Sequence, residues 1–325
     1  MYTTHYGLSA KPFSIVPDPN ILFLSKNHEN ALTYLEYGIS EKAGFVLLTG
    51  EIGIGKTTLI RHMLNNMPAM MDTAVIFNTN FSSDQLFRRI LSEFELPCDT
   101  ADKGFHLETL YHFLIEQYAR GRQTLLVIDE AQNLSDEVLE DIRMLFNLQT
   151  DNHILLQIIL VGQPDLKRRI SSPGLRQLAQ RIVVNYHLSP LSEEQTSQYI
   201  KHRLQSAGAA ANLFSAEAMQ LIYQNSGGIP RTINLLCEAG LVYGYAGNKP
   251  LVDREIVENV LKDRICIAAA AQEQSPPAMS APMPDKPTVE MLERITAIET
   301  ALADVQYRQE KVLNEIRSEF DQRLQ

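Results

Sequence analysis

The sequence predicts an α/β fold, with a parallel sheet covered by helices on both faces, followed by a small helical domain. Two observations carry this expectation. Short apolar runs rich in β-branched residues alternate with helix-like stretches as far as about residue 190, the pattern of strand–helix–strand crossovers. After Leu191 the strand-like runs stop and only helical patterns follow. Composition agrees, because 45% of the 325 residues are hydrophobic, enough to bury a core and too many for a disordered chain.

In chain order, the predicted strands are Phe45–Thr49, Thr73–Asn78, Thr124–Ile128, Ile154–Val161 and Arg181–His187. Thr57–Asn66, Ser83–Phe94, His106–Arg120 and Asp136–Leu148 read as the helices between them. The second group comprises Ser192–Ala207, Ser215–Asn225, Arg231–Ala246 and Asp253–Asp263. Ser192, Ser215 and Asp253 stand where N-caps belong. The expected division is an α/β domain over 1–190 and a helical domain over 191–267.

Composition changes sharply beyond that point. Residues 268–287 hold five prolines, six alanines and no glycine, as expected of an extended, semi-rigid linker. Residues 288–325 lack Gly and Pro. Met291, Ile295, Ile298, Leu302, Val305, Gln309, Val312 and Ile316 alternate spacings of four and three, the seam of a coiled coil. Gln309 and Glu319 interrupt it. A helix of that length would span about 57 Å at roughly 1.5 Å per residue. Its apolar stripe calls for self-association, a partner helix or docking on the globular part.

Charge and cysteine usage narrow the function classes. With 29 Lys+Arg against 39 Asp+Glu, the formal charge of -10 argues against coating DNA or anionic membrane by bulk charge. Three scattered cysteines (Cys98, Cys237, Cys266) form neither a disulfide framework nor a zinc cluster, and the eight histidines show no ligand spacing. The start has no basic-then-apolar signal. The apolar windows Phe45–Leu48, Leu125–Ile128, Ile154–Val161 and Ile265–Ala271 fall short of the ~18 residues a membrane span needs. The expectation is a cytoplasmic protein without direct membrane insertion, reaching an inner membrane only through a partner.

One segment carries specific chemistry. Gly50, Glu51, Ile52, Gly53, Ile54, Gly55, Lys56 and Thr57 match G-x-x-x-x-G-K-[ST], directly after a predicted strand and opening a helix that continues through Thr58. Glycines let the backbone N–H groups turn inward around phosphate oxygens, and the helix N-terminus adds partial positive charge. Lys56 would reach the β- and γ-phosphates of ATP, and Thr57 would ligate Mg2+. Downstream, Leu125–Ile128 bury a strand and deliver Asp129 and Glu130 at its carboxyl end, where open α/β sheets bind ligands. Asp129 would hold Mg2+, and Glu130 would act as the general base toward water. An acid immediately after Asp129 favours a hydrolase over a kinase.

Other residues leave alternatives open. Gln163, ending the fourth strand, is either a contact to the γ-phosphate or water, or a turn residue before Pro164. Arg231 at a helix start opposes the macrodipole, so it either reaches the nucleotide or is an ordinary surface Arg. Lys167, Arg168, Arg169, Arg176 and Arg181 form a basic cluster. Arg176 or Arg181 would act as an arginine finger on a neighbour; the alternatives are a nucleic-acid contact or a solvated face.

Taken in order, Tyr6–Phe13, Pro17–Pro19, Gly50–Thr57, Asp129–Asn133, Gly162–Pro164 and Gly228–Asn234 resemble the AAA+ ATPases of the general secretion pathway protein A type. The likeness is strongest to the secretion ATPases of exosortase and exopolysaccharide loci, and it covers roughly residues 1–265. It implies a sheet of order 5-1-4-3-2 with a helical lid. Sensor roles for Gln163 and Arg231 also follow, as do a ring-like homo-oligomer and work on a protein partner of a secretion or export system. Tyr6–Pro19 would wrap near the adenine. Family members of this type continue into a membrane helix and a peptidoglycan-binding module, where this sequence has the Pro-rich linker and heptad segment. Transposition ATPases share the same core and imply DNA-dependent hydrolysis, the main rival; a slow nucleotide switch acting as a scaffold is the other.

Overall fold

The computed structural model describes residues 2–14, 23–68, 70–77, 79, 81–98, 102–150 and 153–263. Ile265–Ala271, the 268–287 linker and the 288–325 heptad segment lie outside the described residues. Five parallel strands form the sheet: β1 (Phe45–Gly50), β2 (Met71–Ile76), β3 (Gln123–Ile128), β4 (Leu156–Gly162) and β5 (Ile182–Leu188). Their order is β2-β3-β4-β1-β5, the expected 5-1-4-3-2 seen from the other edge. β1 and β4 are buried throughout and β3 nearly so, which is why they read as largely apolar runs, with Thr49, Thr124 and Gln157 as buried polar exceptions; the outer β2 and β5 expose alternate residues.

Alternation along each central strand sorts side chains between two cores. Phe45, Leu47, Leu126, Ile128, Ile158 and Leu160 face α4 (Ser83–Glu93), α5 (Lys103–Ala119) and α6 (Asp136–Leu145). Val46, Leu48, Leu125, Val127, Ile159 and Val161 face α2 (Lys26–Ser40) and α3 (Lys56–Asn65). Four of the described α-helices have no counterpart among the predicted elements: the single-turn α1 (Tyr2–His5) and α8 (Arg176–Ala179), and two longer ones. α2 buries a narrow stripe, Ala31, Leu35 and Ile39, beneath an N-cap at Ser25. α7 (Pro164–Ile170) follows β4 at once, with Pro164 in its first turn, where a missing N–H costs the helix nothing.

The lid contains α9 (Glu193–Ser206), α10 (Ala216–Ser226), α11 (Pro230–Ala246) and α12 (Arg254–Lys262). Ser192, Ser215 and Asp253 cap α9, α10 and α12 through their side chains, as the sequence suggests. The N-terminal segment departs from the expected domain division. Tyr2, Tyr6, Leu8 and Phe13 belong to the lid's apolar cluster, not to either core of the sheet. Phe13 meets Phe214 edge-to-face at 5.9 Å. Buried Arg203 donates to the carbonyls of Pro12 (2.6 Å) and Ser14 (3.4 Å), and Ser9 donates twice to the Ala207 carbonyl. So residues 2–14 are a structural part of the lid. Of the Tyr6–Pro19 segment expected near an adenine, residues 6–14 are committed to this packing, and 15–19 lie outside the described residues. No described helix is long and apolar enough to cross a membrane.

Candidate active site

The site forms where β1, β3 and β4 end side by side, at the carboxyl edge of the sheet. β1 runs into Gly50, the chain turns through residues 51–55, and α3 starts at Lys56. Gly53 and Gly55 have φ of 77° and 106°, values that an L side chain opposes, and these fold the loop back over the start of α3. No side chain caps α3, so its first N–H groups are left for a ligand. Ile54 buries its side chain in the core and contributes only backbone to the loop, while Glu51 is exposed and Ile52 and Thr58 are half-buried.

Lys56 is only 5% exposed. Its ammonium donates to the carbonyls of Gly50 (2.8 Å) and Glu51 (3.1 Å), filling the loop's concavity with positive charge. Burial pushes its pKa below the ordinary lysine value, against the pull of Glu130, Asp129 and Glu51. His28, on the first turn of α2, supports the loop from the other side. Its Nε2 lies 3.4 Å from the Ile54 carbonyl and its Nδ1 2.7 Å from Ser25 Oγ. The neutral tautomer protonated on Nε2 satisfies both contacts.

Asp129, 2% exposed, accepts from the Thr57 hydroxyl through Oδ2 and from the Glu130 N–H through Oδ1 at 2.8 Å. Burial raises its pKa, and these two donors counter the rise. A buried carboxylate and a hydroxyl, both hard oxygen donors, suit Mg2+, which is commonly held by one or two protein groups plus substrate phosphate. Glu130 has φ of 52°, a left-handed conformation uncommon for any residue but Gly. Thr79 holds it there, donating Oγ1 to the Glu130 carbonyl at 2.7 Å.

Gln163, at the end of β4, reaches this group through its backbone. Its N–H donates to Gln132 Oε1 at 3.1 Å, and Gln132 Nε2 donates to Glu130 Oε2 at 2.6 Å. From the lid, Arg231 lays its backbone on the loop, N–H to the Gly53 carbonyl, and leaves its guanidinium exposed. The basic cluster divides by partner. Arg169 donates to the carbonyls of Gln132 (2.6 Å) and Leu134 (2.7 Å) and pairs with Asp136, so it clamps the loop after β3 within its own chain. Arg168 pairs with Asp165, also on α7. Arg181 stacks on Phe146 at 4.5 Å from the ring centre, and both Arg176 and Arg181 are exposed.

The structure therefore brings together Gly50–Lys56, Thr57, Asp129, Glu130, the Gln163 backbone and Arg231. Arg176 and Arg181 have no contact to that group among those described. Gln132, Thr79 and His28 were absent from the sequence-based candidates, and Arg169 stood among them only as a member of the basic cluster. Gln132 lies within the Asp129–Asn133 motif; Thr79 and His28 carried no signal, and the clamp that Arg169 makes on the loop after β3 was not readable because its partners are distant in sequence.

A parallel sheet of this order with a phosphate loop after β1 and an acidic pair after β3 defines a nucleotide-binding protein of the AAA class. A family profile described as an AAA domain matches residues 39–170. General secretion pathway protein A of Aeromonas hydrophila is 44% identical over 259 residues, which is 79% of this chain and 47% of that protein. The chain belongs among AAA ATPases of the general secretion pathway protein A type, and it spans about half the length of that relative. Solved structures agree on the fold. Cdc6p of Pyrobaculum aerophilum superposes with a TM-score of 0.61 at 17% identity, over 78% of this chain and 70% of that one. The ORC2 protein of Aeropyrum pernix gives 0.60 at 15%, over 80% and 72%.

Proposed function

We propose that the chain binds ATP with Mg2+ at Gly50–Thr58, hydrolyses it, and uses the cycle to assemble or regulate a secretion or exopolysaccharide-export apparatus from the cytoplasmic side. The observation that supports this most directly is the meeting of Lys56, Thr57, Asp129 and Glu130 at the carboxyl ends of β1 and β3. Lys56 would exchange its loop carbonyls for the β- and γ-phosphates, and the free N–H groups of α3 would meet phosphate oxygens. Thr57 and Asp129 would hold Mg2+, which when bound neutralises charge on the phosphates. Glu130 would take a proton from the attacking water as the bond between the γ-phosphorus and the ADP oxygen breaks.

Gln163 and Arg231 would sense the γ-phosphate from β4 and from the lid. Arg176 or Arg181, exposed on the α/β domain, would complete the site of a neighbouring subunit in a ring-like homo-oligomer. The secretion role is supported by the name of the Aeromonas relative, and the 288–325 segment would add a second assembly contact.

Steady-state hydrolysis by the full chain, with Mg2+ and after chelation, tests the reading alongside fluorescent-ATP binding. Lys56→Ala should lose nucleotide, whereas Glu130→Gln should retain ATP without turning it over. Normal turnover by Glu130→Gln would overturn the mechanism. Stimulation by duplex DNA with a steep salt dependence would instead place the chain with DNA-dependent ATPases. A pull-down with Glu130→Gln and ATP should capture the partner.

A further inference from the structure

Gln132 occupies a position that the roles above leave unexplained. It follows Glu130 by two residues, in the short 3-10 turn Ala131–Asn133. Its side-chain amide spans two elements, donating Nε2 to Glu130 Oε2 at 2.6 Å and accepting at Oε1 from the Gln163 N–H at 3.1 Å. The orientation of the amide is unambiguous, because a carboxylate only accepts and a backbone N–H only donates. The bond to Glu130 is charge-assisted and correspondingly strong.

Three surrounding features hold the amide in this place. Arg169 binds the backbone carbonyl of Gln132 at 2.6 Å from α7, which fixes the turn from behind. Gly162, preceding Gln163, leaves the space that Oε1 occupies: a Cβ there would come within 2.9 Å of it. Thr79 and Asp129 secure the Glu130 backbone, leaving the carboxylate as the part still free to rotate. Gln132 is the side chain that stops it.

We propose that Gln132 is a positioning residue for hydrolysis, a two-ended strut that fixes one oxygen of Glu130 to the end of β4 and leaves the other free for water. This rests on Glu130 being the group that accepts the water's proton. The strut makes the position of Glu130 depend on that of Gln163. A shift of the β4 end toward a bound γ-phosphate would therefore reset the base through Gln132. Hydrolysis would be coupled to occupancy of the site by two hydrogen bonds, without any movement of β3.

Kinetics of the full chain test this with Gln132→Met, which keeps the volume and removes both hydrogen bonds. Gln132→Asn, with the same amide one methylene short, carries the test if the Met variant fails to fold. We expect kcat to fall about 10- to 100-fold with fluorescent-ATP affinity unchanged, the pattern of a misplaced reacting group. In the Glu130→Gln background the same change should add almost nothing, because a strut has no effect once its load is gone. Wild-type kcat in a folded Gln132→Met, an equal loss of binding and turnover, or full additivity with Glu130→Gln would each overturn the proposal. Wild-type turnover that survives Glu130→Gln is a separate outcome; it removes the underlying reading and this inference with it.

Discussion

The backbone N–H of Arg231 donates to the carbonyl of Gly53 at 3.1 Å, so the first turn of lid helix α11 is pinned directly to the phosphate loop. The N–H groups of a helix's first turn have no partner within the helix, and here one of them is satisfied by another domain. This contact belongs to the backbone and leaves the guanidinium free to do something else. Arg231→Ala should therefore leave the unfolding free energy within about 0.5 kcal/mol of wild type, as for an exposed side chain. Turnover should drop about 100-fold or more, as when a donor to the transition state is removed. A variant that loses stability but keeps its kcat would show Arg231 to be a lid contact only.

Gly53 is the other half of that junction. With φ at 77° any Cβ is strained, and at this position it would come within 2.5 Å of Arg231 Cβ. Gly121 has nearly the same backbone, φ 73°, with nothing within 4 Å of a Cβ. The pair separates strain from crowding. Both Gly53→Ala and Gly121→Ala should cost about 1–3 kcal/mol by thermal denaturation. Only Gly53→Ala should also weaken nucleotide binding, by about tenfold or more, because the lid must move off the loop. Equal nucleotide affinities for the two variants would show that the junction does not affect binding.

These contacts mark the boundary of what the sequence could reveal. β1, β3 and β4 were legible because strands buried on both faces are largely apolar, and the proximity of Lys56, Thr57, Asp129 and Glu130 because the G-x-x-x-x-G-K-[ST] motif and the acidic pair each directly follow such a strand. The caps Ser192, Ser215 and Asp253 were legible for the same local reason. α2 was not: Tyr34, Tyr37 and Gly38 interrupt its narrow stripe. Gly38 is there because a Cβ would reach within 2.7 Å of Val46, a fact of packing and not of pattern. α7 was obscured by Pro164, which resembles a stop but serves as a start. Gln132 and Arg169 act through partners 31 and 37 positions away, and no local periodicity encodes such pairings.

His28 gives the loop a pH-dependent support. Burial holds its pKa below the ordinary value, and the bond to the Ile54 carbonyl opposes the shift only in part. A histidine depressed in the folded state contributes stability that is complete above its unfolded pKa of about 6.5 and is lost as pH falls through the folded value. Gln at this position does not titrate. The stability difference between wild type and His28→Gln, measured by denaturant titration, should therefore shrink as pH is lowered from 7.5 toward 5. Other groups titrate in both proteins and cancel in the difference. A difference that stays constant over this range would contradict the assignment of a buried neutral imidazole.

The docking of residues 2–14 makes lid stability depend on a segment far away in sequence. Arg203 is 7% exposed, and its donors are directed to the carbonyls of Pro12 and Ser14, 191 and 189 positions away. Removing the segment would leave a buried guanidinium without those acceptors, which costs more than the lost hydrogen bonds themselves because the charge stays desolvated. Phe13→Ala removes the aromatic wedge against Phe214 and should destabilise the lid by about 3–5 kcal/mol. Deletion of residues 2–14 should be worse still, and adding Arg203→Met should recover part of the loss, since an apolar side chain of similar length has no charge to strand. Hydrogen exchange in α9–α11 would locate the effect, with the strands of the sheet protected as in wild type. If the deletion left lid protection unchanged, or if Arg203→Met deepened the defect, residues 2–14 would not be the structural part of the lid that their contacts indicate.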